Sequence, residues 1–259
     1  MRWRELYPEW QQAVDEMVAS RDTVLVLGGI DSGKTTFCSL LLKLKQQAGM
    51  RVGFVDLDAG QTTVGPPAAF SSVLIRKPYE LLHDLTPDNL AFLGDVSPVR
   101  HVALALSGAR RVLDDLAPLQ PDSLVIDTDG YISGWHGRAY KLMLIDLLRP
   151  QVIVALQRKD ELEPIVNALR CRADWKLHEL PVPRAILRKS PPFRAQHRRA
   201  AFARYLERAQ SHTLPLDQFR FVGRRLGGGQ PISETRRRYL ADQVHAELMH
   251  AEKVGDSLQ

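Results

Sequence analysis

Two kinds of hydrophobic pattern alternate along the chain. Short aliphatic runs, at Thr23 to Leu27, Arg51 to Leu57, Leu90 to Leu93, Ser123 to Ile126 and Gln151 to Leu156, read as buried strands. Between them apolar residues recur at helical spacing. Trp10, Val14 and Val18 do so in Pro8 to Ser20, and Phe37, Leu40, Leu41 and Leu44 in Thr36 to Gln47. Val102, Leu106, Ala109 and Leu113 repeat the pattern in His101 to Leu116, and Ala139 to Leu148 and Glu161 to Arg170 add two more helices. Strands alternating with helices predict an α/β fold with a mainly parallel sheet flanked by helices. The N-terminal helix is expected to pack on the sheet rather than touch a nucleotide. Thr63 to Pro78, broken by Pro66 and Pro67, reads as an extended loop. Later, Phe219 to Leu226 alternates weakly as a strand, Gly227-Gly228-Gly229 is a candidate hinge, and a last helix runs from Ser233, its N-cap, to about Lys253.

The junction after the first strand carries the strongest chemistry. Gly28-Gly29-Ile30-Asp31-Ser32-Gly33-Lys34-Thr35-Thr36 satisfies G-x-x-x-x-G-K-[ST] between a strand and a helix, the context a P-loop requires. Glycines let successive N–H groups face an anion, and the helix start adds its positive dipole end. Lys34 is then placed to reach the β- and γ-phosphates, and Thr35 to offer its hydroxyl to Mg²⁺.

Acids at the carboxyl ends of the next strands point toward the same place. Asp56-Leu57-Asp58-Ala59-Gly60-Gln61 ends the second strand, and either Asp56 or Asp58 is a candidate to hold a Mg²⁺-bound water or accept a proton. Asp127, closing an apolar run, competes with Asp58 for a place near the metal. Ser97-Pro98 is either a helix cap or part of a site. Tyr131, Trp135 and His136 either stack a base or pack. Gln157-Arg158-Lys159-Asp160 is a degraded form of the Asn-Lys-x-Asp that guanine-specific P-loop proteins carry.

Composition narrows the class. The 259 residues are 44% hydrophobic and 25% charged, as in ordinary globular proteins. Cys38 and Cys171 form no framework and no CxxC pair, which predicts a reducing compartment and no structural zinc. With no signal-like N-terminus and no apolar run long enough for a membrane span, a cytoplasmic protein is expected. The net charge of +5 favours a polyanionic partner. It is concentrated after Arg184, where arginines face only Glu207, Asp217 and Glu234 up to Arg238. Arg194 and Arg198, four apart on one helix face from about Pro192, suit phosphate because guanidinium is planar and bidentate. Arg204 and Arg208 read as a solvated face.

Together these stretches resemble the polynucleotide 5'-hydroxyl kinases related to the kinase subunit of the pre-mRNA cleavage factor and to the pre-rRNA-processing kinases. The likeness rests on Gly28 to Thr36, Asp56 to Gln61 with Pro66-Pro67, Gly94-Asp95-Val96-Ser97-Pro98, Val125 to Tyr131, and Phe193-Arg194 with Arg198. Asp31 is also the residue this family tends to place inside the loop.

The resemblance implies a P-loop domain over residues 1–213, with a lid at about 188–209 and a strand-and-helix appendage at 214–259. It implies ATP, or GTP or another nucleoside triphosphate, with Mg²⁺, and a 5'-hydroxyl end of RNA or DNA as acceptor. Processing or repair of nucleic acid is the setting. Lys34 and Thr35 would bind phosphates and metal, and Asp58 would be the general base and lie at the metal. Gln61 would sit beside metal and acceptor, and Ser97 with Pro98 would clasp the substrate strand. Tyr131 stands where eukaryotic members stack a Trp on a base, and Arg194 and Arg198 match lid arginines over the triphosphate. Asp127 stands where eukaryotic members carry Asn, which leaves a metal role open. The β-rich flanking domains of those members are not expected here, so no membrane and no obligate protein partner is implied. Two rivals remain: a GTPase or ATPase switch that moves a partner, and a nucleic-acid-binding protein whose P-loop only stabilises the fold.

Overall fold

The computed structural model describes residues 3–207, 209–211, 213, 229–245, 248, 251–254 and 257–258. The chain divides into two compact units, residues 1–209 and 210–259.

In the first unit, α1 (Trp3–Leu6) and α2 (Gln11–Ala19) precede β1 (Thr23–Gly28), α3 (Lys34–Gln47) and β2 (Val52–Leu57). Next come β3 (Ala69–Ile75), β4 (Asn89–Phe92), α4 (Val102–Leu116), β5 (Ser123–Thr128) and α5 (Gly134–Leu148). β6 (Val152–Gln157), α6 (Glu163–Arg170), β7 (Lys176–Pro181) and α7 (Pro191–Leu206) complete it. The seven strands run in the order β4-β3-β2-β5-β1-β6-β7. β2, β5, β1, β6 and β7 are mutually parallel, and β3 and β4 add an antiparallel edge.

Side chains leave a strand alternately to its two faces, and the central strands are buried on both. Leu25 and Leu27 of β1, Val55 and Leu57 of β2, and Ile153 and Ala155 of β6 join the core beneath α4, α5 and α6. Val24 and Val26, Val52 and Phe54, and Val154 and Leu156 join the opposite core, with Phe37 and Leu41 of α3 and Val14 of α2. Trp10 is fully buried there, edge-on to Phe37 at 5.1 Å, and its indole N–H donates to the Pro181 carbonyl. The N-terminal helix therefore packs on the sheet, as its periodicity predicts.

Two strands of the first unit were not legible. Ala69–Ile75, expected as loop, is a wholly buried strand. Its central serines are accommodated because Ser71 Oγ donates to Val64 O and Ser72 Oγ to Val112 O, so neither hydroxyl is buried unpaired. β7 is an edge strand in which Lys176, His178 and Glu179 are interleaved with Leu177, Leu180 and Pro181 and no residue is fully buried, so it carries little apolar signal.

In the second unit, β8 (Gln230–Pro231), β9 (Glu252–Val254) and β10 (Ser257–Leu258) form an antiparallel sheet, and α8 spans Glu234–Val244. Ser233 caps α8, its Oγ accepting from Arg236 N. The helix stops short of Lys253, because His245 turns left-handed at its C-cap and Lys253 belongs to β9. The expected strand at Phe219 to Leu226, Gly227 and Gly228 of the glycine run, and Arg208 lie outside the described residues.

Candidate active site

The parallel strands deliver their carboxyl ends to one edge, and the motif residues gather there. β1 ends at Gly28, and α3 begins at Lys34 with Gly33 as N-cap at φ 90°, a conformation that favours glycine. Lys34 is 6% exposed, and its Nζ donates to Gly29 O at 2.8 Å, curling the loop over its own ammonium. Thr35 Oγ1 donates to Asp127 Oδ2 at 2.6 Å. Two buried polar atoms of these segments, Ser32 Oγ and Asp127 Oδ1, have no hydrogen-bond partner among the described residues. Burial pushes the Asp127 carboxyl up to about 6, against the pull of Lys34 and the Thr35 hydroxyl.

The two acids of the second strand have different surroundings. Asp56 and Asp127 are opposite each other in the β2–β5 register. Asp56 spends both oxygens on backbone: Oδ1 accepts from Asp58 N, and Oδ2 from Thr63 N at 2.7 Å and Val64 N at 3.1 Å. Burial, with the Asp127 charge second, nonetheless raises its pKa to about 8. Asp58 Oδ1 accepts from Gln61 N at 2.8 Å and Gly60 N at 3.0 Å, while Oδ2 accepts nothing among the described residues. Its pKa is raised by burial, with Lys34 opposing. Asp56 thus shapes the turn, and Asp58 is the acid that faces open space.

Two clefts meet over these groups. One, of about 510 Å³, runs along the P-loop from Asp31 to Thr36 and is walled by His83, Ile186, Lys189, His197, Arg204 and Tyr7. The other, of about 300 Å³, lies across Gln61, Val96 to Pro98, Asp129 to Tyr131, Arg194 and Arg198. Asp31, Lys34, Asp58 and Gln61 belong to both.

Among the expected P-loop, catalytic and acceptor-binding residues, Gly28 and Gly29 form the loop's approach and the others line one or both clefts, whereas the candidates Asp56, Asp127, Trp135 and His136 line neither. Ser97 Oγ accepts from Val99 N, capping the short turn Pro98–Arg100 and not α4, whose N-cap is His101, and Ser97 also lines the second cleft. Tyr131 likewise lines that cleft while stacking on Tyr140 at 6.4 Å, whereas Trp135 is 76% exposed. Both lid arginines line the second cleft rather than the P-loop cleft. Ser190, accepting from Phe193 N, caps α7 ahead of Pro191 and Pro192, so Arg194 falls in the helix's first turns.

Arg204 corrects an expectation. Read as part of a solvated face, it is exposed but lines the P-loop cleft with Lys189 and His197. His197 has a lowered pKa, from burial first and then from the Lys189 and Arg204 charges, which favours its neutral form beside those two cations.

The guanine-like stretch lines neither cleft. Gln157 Oε1 accepts from Leu162 N, and Arg158 Nη2 donates to Asp31 O at 2.7 Å and Ile186 O at 3.1 Å. These residues brace the P-loop from behind.

Other residues escaped the sequence reading. Asp129 lines the second cleft, its Oδ1 accepting from Tyr131 N at 2.7 Å. Fully buried Lys141 lies 3.0 Å from its Oδ2 and donates to its backbone oxygen. Asp129 lay visible in Asp127-Thr128-Asp129, but Lys141 lies inside a helix with no pattern to mark it. Gly130 is fixed by contact: a Cβ there would stand 2.9 Å from Ile30 N.

The donor set suits a hard cation. Thr35 Oγ1, the half-unpaired Asp127 carboxylate and the free Asp58 oxygen are all oxygen ligands of the kind Mg²⁺ takes. Among the described residues no group of three or more His, Cys, Asp or Glu forms a closed metal cage. Mg²⁺ commonly keeps waters and substrate phosphates as ligands, so the open arrangement fits.

Comparison with known proteins shows the family and the fold. The family described as mRNA cleavage and polyadenylation factor CLP1 P-loop matches residues 28–208. A polyribonucleotide 5'-hydroxyl-kinase of Pyrococcus horikoshii is 31% identical over 239 residues, covering 90% of this chain and 63% of its own. One from Pyrococcus furiosus is 30% identical, with 90% and 64% covered. An Arabidopsis thaliana CLP1 homolog is 29% identical over 60% of this chain and 38% of its own. The chain thus spans a little under two thirds of the length of its archaeal relatives. A Clp1p–Pcf11p complex superimposes with TM-score 0.57 at 12% identity, over 77% of this chain and 53% of that one, a likeness of fold. No helix among the described residues is long and apolar enough to cross a membrane.

Proposed function

This chain belongs to the CLP1 P-loop family, and from that premise we propose that it is a polynucleotide 5'-hydroxyl kinase. It transfers the γ-phosphoryl group of ATP, or of GTP or another nucleoside triphosphate, to the 5'-hydroxyl end of RNA or DNA. The printed names of its archaeal relatives favour RNA. A cytoplasmic role in RNA processing or repair accords with reduced Cys38 and Cys171.

The observation that carries the reading is the junction of the two clefts. Lys34, Asp58 and Gln61 line both, so a triphosphate along the P-loop ends where a hydroxyl in the second cleft begins. Asp58 Oδ2 takes the proton as the hydroxyl oxygen bonds to the γ-phosphorus and the bond to the β-phosphate oxygen breaks, releasing the diphosphate. The raised pKa of Asp58 makes it a better base than an ordinary carboxylate, and a positioned base contributes roughly 10²- to 10⁴-fold. Lys34 and a guanidinium of the lid helix stabilise charge on the transferring group. Mg²⁺ held by Thr35 and Asp127, with Asp58 beside them, would neutralise charge between the β- and γ-phosphates. Ser97, Pro98 and Tyr131 hold the acceptor's first nucleotide, and basic residues of α7 track its phosphates. Protein partners are not part of this reading.

The test is incubation with γ-labelled ATP and oligonucleotides bearing 5'-hydroxyl or 5'-phosphate ends. Label on the 5'-hydroxyl oligonucleotide alone is expected. Free phosphate released regardless of oligonucleotide would instead assign a hydrolytic switch.

A further inference from the structure

The two lid arginines stand in different electrostatic settings. Arg194 Nη1 lies 3.0 Å from Asp31 Oδ2 and 2.6 Å from Lys189 O, donating to both. The same Asp31 oxygen accepts from Lys189 N at 3.0 Å. Arg198 makes no ion pair among the described residues, although it lines the same cleft. We propose that Asp31 is a positioning residue that moors the start of the lid helix to the P-loop through Arg194, leaving Arg198 as the lid guanidinium that meets the transferring phosphoryl group.

Several observations converge on this division. The Asp31 and Arg194 side chains are only 10% and 21% exposed, so their pairing is better shielded than an ordinary surface bridge. Asp31 sits at φ 56°, a conformation Asp tolerates better than most residues. Its main chain is held from the other side, where Arg158 ties the Asp31 and Ile186 carbonyl oxygens together. The segment leading into α7 is therefore fastened to the P-loop at Ile186, at Lys189 and at Arg194. A guanidinium already matched to a carboxylate brings little net charge to a phosphate. Arg198 lies one turn on, about 6 Å along the axis, and its aim is set by how the first turn is held. A misplacement of about 1 Å can cost as much as 10²-fold in rate.

The inference rests on the proposed phosphoryl transfer, so the experiment has an arm that needs no activity. Asp31→Asn keeps the shape and tolerates the positive φ while removing the charge. Trypsin cleavage after Arg188 and Lys189 is measured on the nucleotide-free protein. Asp31→Asn and Arg194→Ala should both speed cleavage several-fold, and Arg198→Ala should leave it at the wild-type rate. In the kinase arm, Asp31→Asn and Arg194→Ala should each lower kcat by about 10- to 100-fold. Their double variant should be no worse than either alone, and Arg198→Ala should multiply with both. Unchanged cleavage in Asp31→Asn and Arg194→Ala would overturn the mooring whether or not the protein is a kinase. Independent, multiplying effects of Asp31→Asn and Arg194→Ala on kcat would overturn it too, assigning Arg194 directly to the phosphoryl group. A wild-type protein that transfers no phosphate, with cleavage behaving as expected, would remove the kinase reading and leave the mooring intact.

Discussion

Thr35 Oγ1 donates to Asp127 Oδ2 at 2.6 Å, joining the P-loop helix to the strand beside it, while Asp127 Oδ1 is buried without a partner among the described residues. A carboxylate with one oxygen fixed and the other free is prepared for a ligand that brings positive charge. Asp127→Ala is expected to raise the Mg²⁺ concentration needed for half-maximal phosphoryl transfer by about 10- to 100-fold, the usual scale for a lost metal partner. Titrating activity with Mg²⁺ at saturating ATP checks it. An unchanged Mg²⁺ requirement would leave Asp127 as a structural acid.

Asp58 is expected to separate chemistry from binding. Its Oδ1 is held by two backbone N–H groups while Oδ2 faces the clefts, so removing the carboxylate deletes the base without unseating the P-loop. Asp58→Ala should cut turnover by about 10²- to 10⁴-fold, with ATP affinity, measured by calorimetry, close to wild type. Near-full turnover in this variant would overturn the assignment of Asp58 as the base.

Gly130 offers a test that touches no reacting group. A Cβ there would meet backbone, Ile30 N at 2.9 Å and Ile30 Cα at 3.0 Å, which cannot rotate away. Gly130→Ala should therefore displace the P-loop, at a cost of about 1–3 kcal/mol. Nucleotide affinity should fall by about tenfold for each 1.4 kcal/mol of this that the bound state must bear. Equal affinity in wild type and variant would show that the loop yields freely.

The buried acids predict a pH dependence of stability. Asp56 has its pKa raised from 3.8 to about 8, by burial and by Asp127. The folded state thus keeps a proton that the unfolded state releases above about pH 4. The associated stability is fully present below that pH and is lost as pH rises through about 8. The melting temperature without nucleotide or divalent metal should fall from pH 5 to 8.5. Asp56→Asn should flatten that slope. A melting temperature that rises over this interval in the wild type would contradict the raised pKa.

The basic α7 wall should respond to salt rather than to pH. Arg204, Lys189 and His197 line the P-loop cleft, and Arg198 the other. Oligonucleotide affinity is expected to fall linearly with salt on logarithmic axes, with the slope shrinking by about one unit per phosphate contact removed. A flat salt response would detach α7 from the acceptor.

The sequence by itself determined the P-loop, the five-stranded parallel core except for its polar edge, and the carboxyl-end acids. Each of these is written in local signals: apolar periodicity, glycine spacing, and an acid closing an apolar run. Residue pattern alone could not separate Asp56, the last but one residue of β2, from Asp58 just beyond it, and only the family resemblance pointed to Asp58. Only the fold shows the Asp56 oxygens taken by Thr63 and Val64 and the Asp58 oxygen left free. Nor could it show β3, whose serines are paired by Val64 and Val112, or the Lys141 ammonium beneath Asp129. The lid arginines were legible as a pair four apart, yet their inequality was not. That was decided by Asp31, far away in sequence and 3.0 Å away in space, since which charge a guanidinium meets depends on the packing of distant segments.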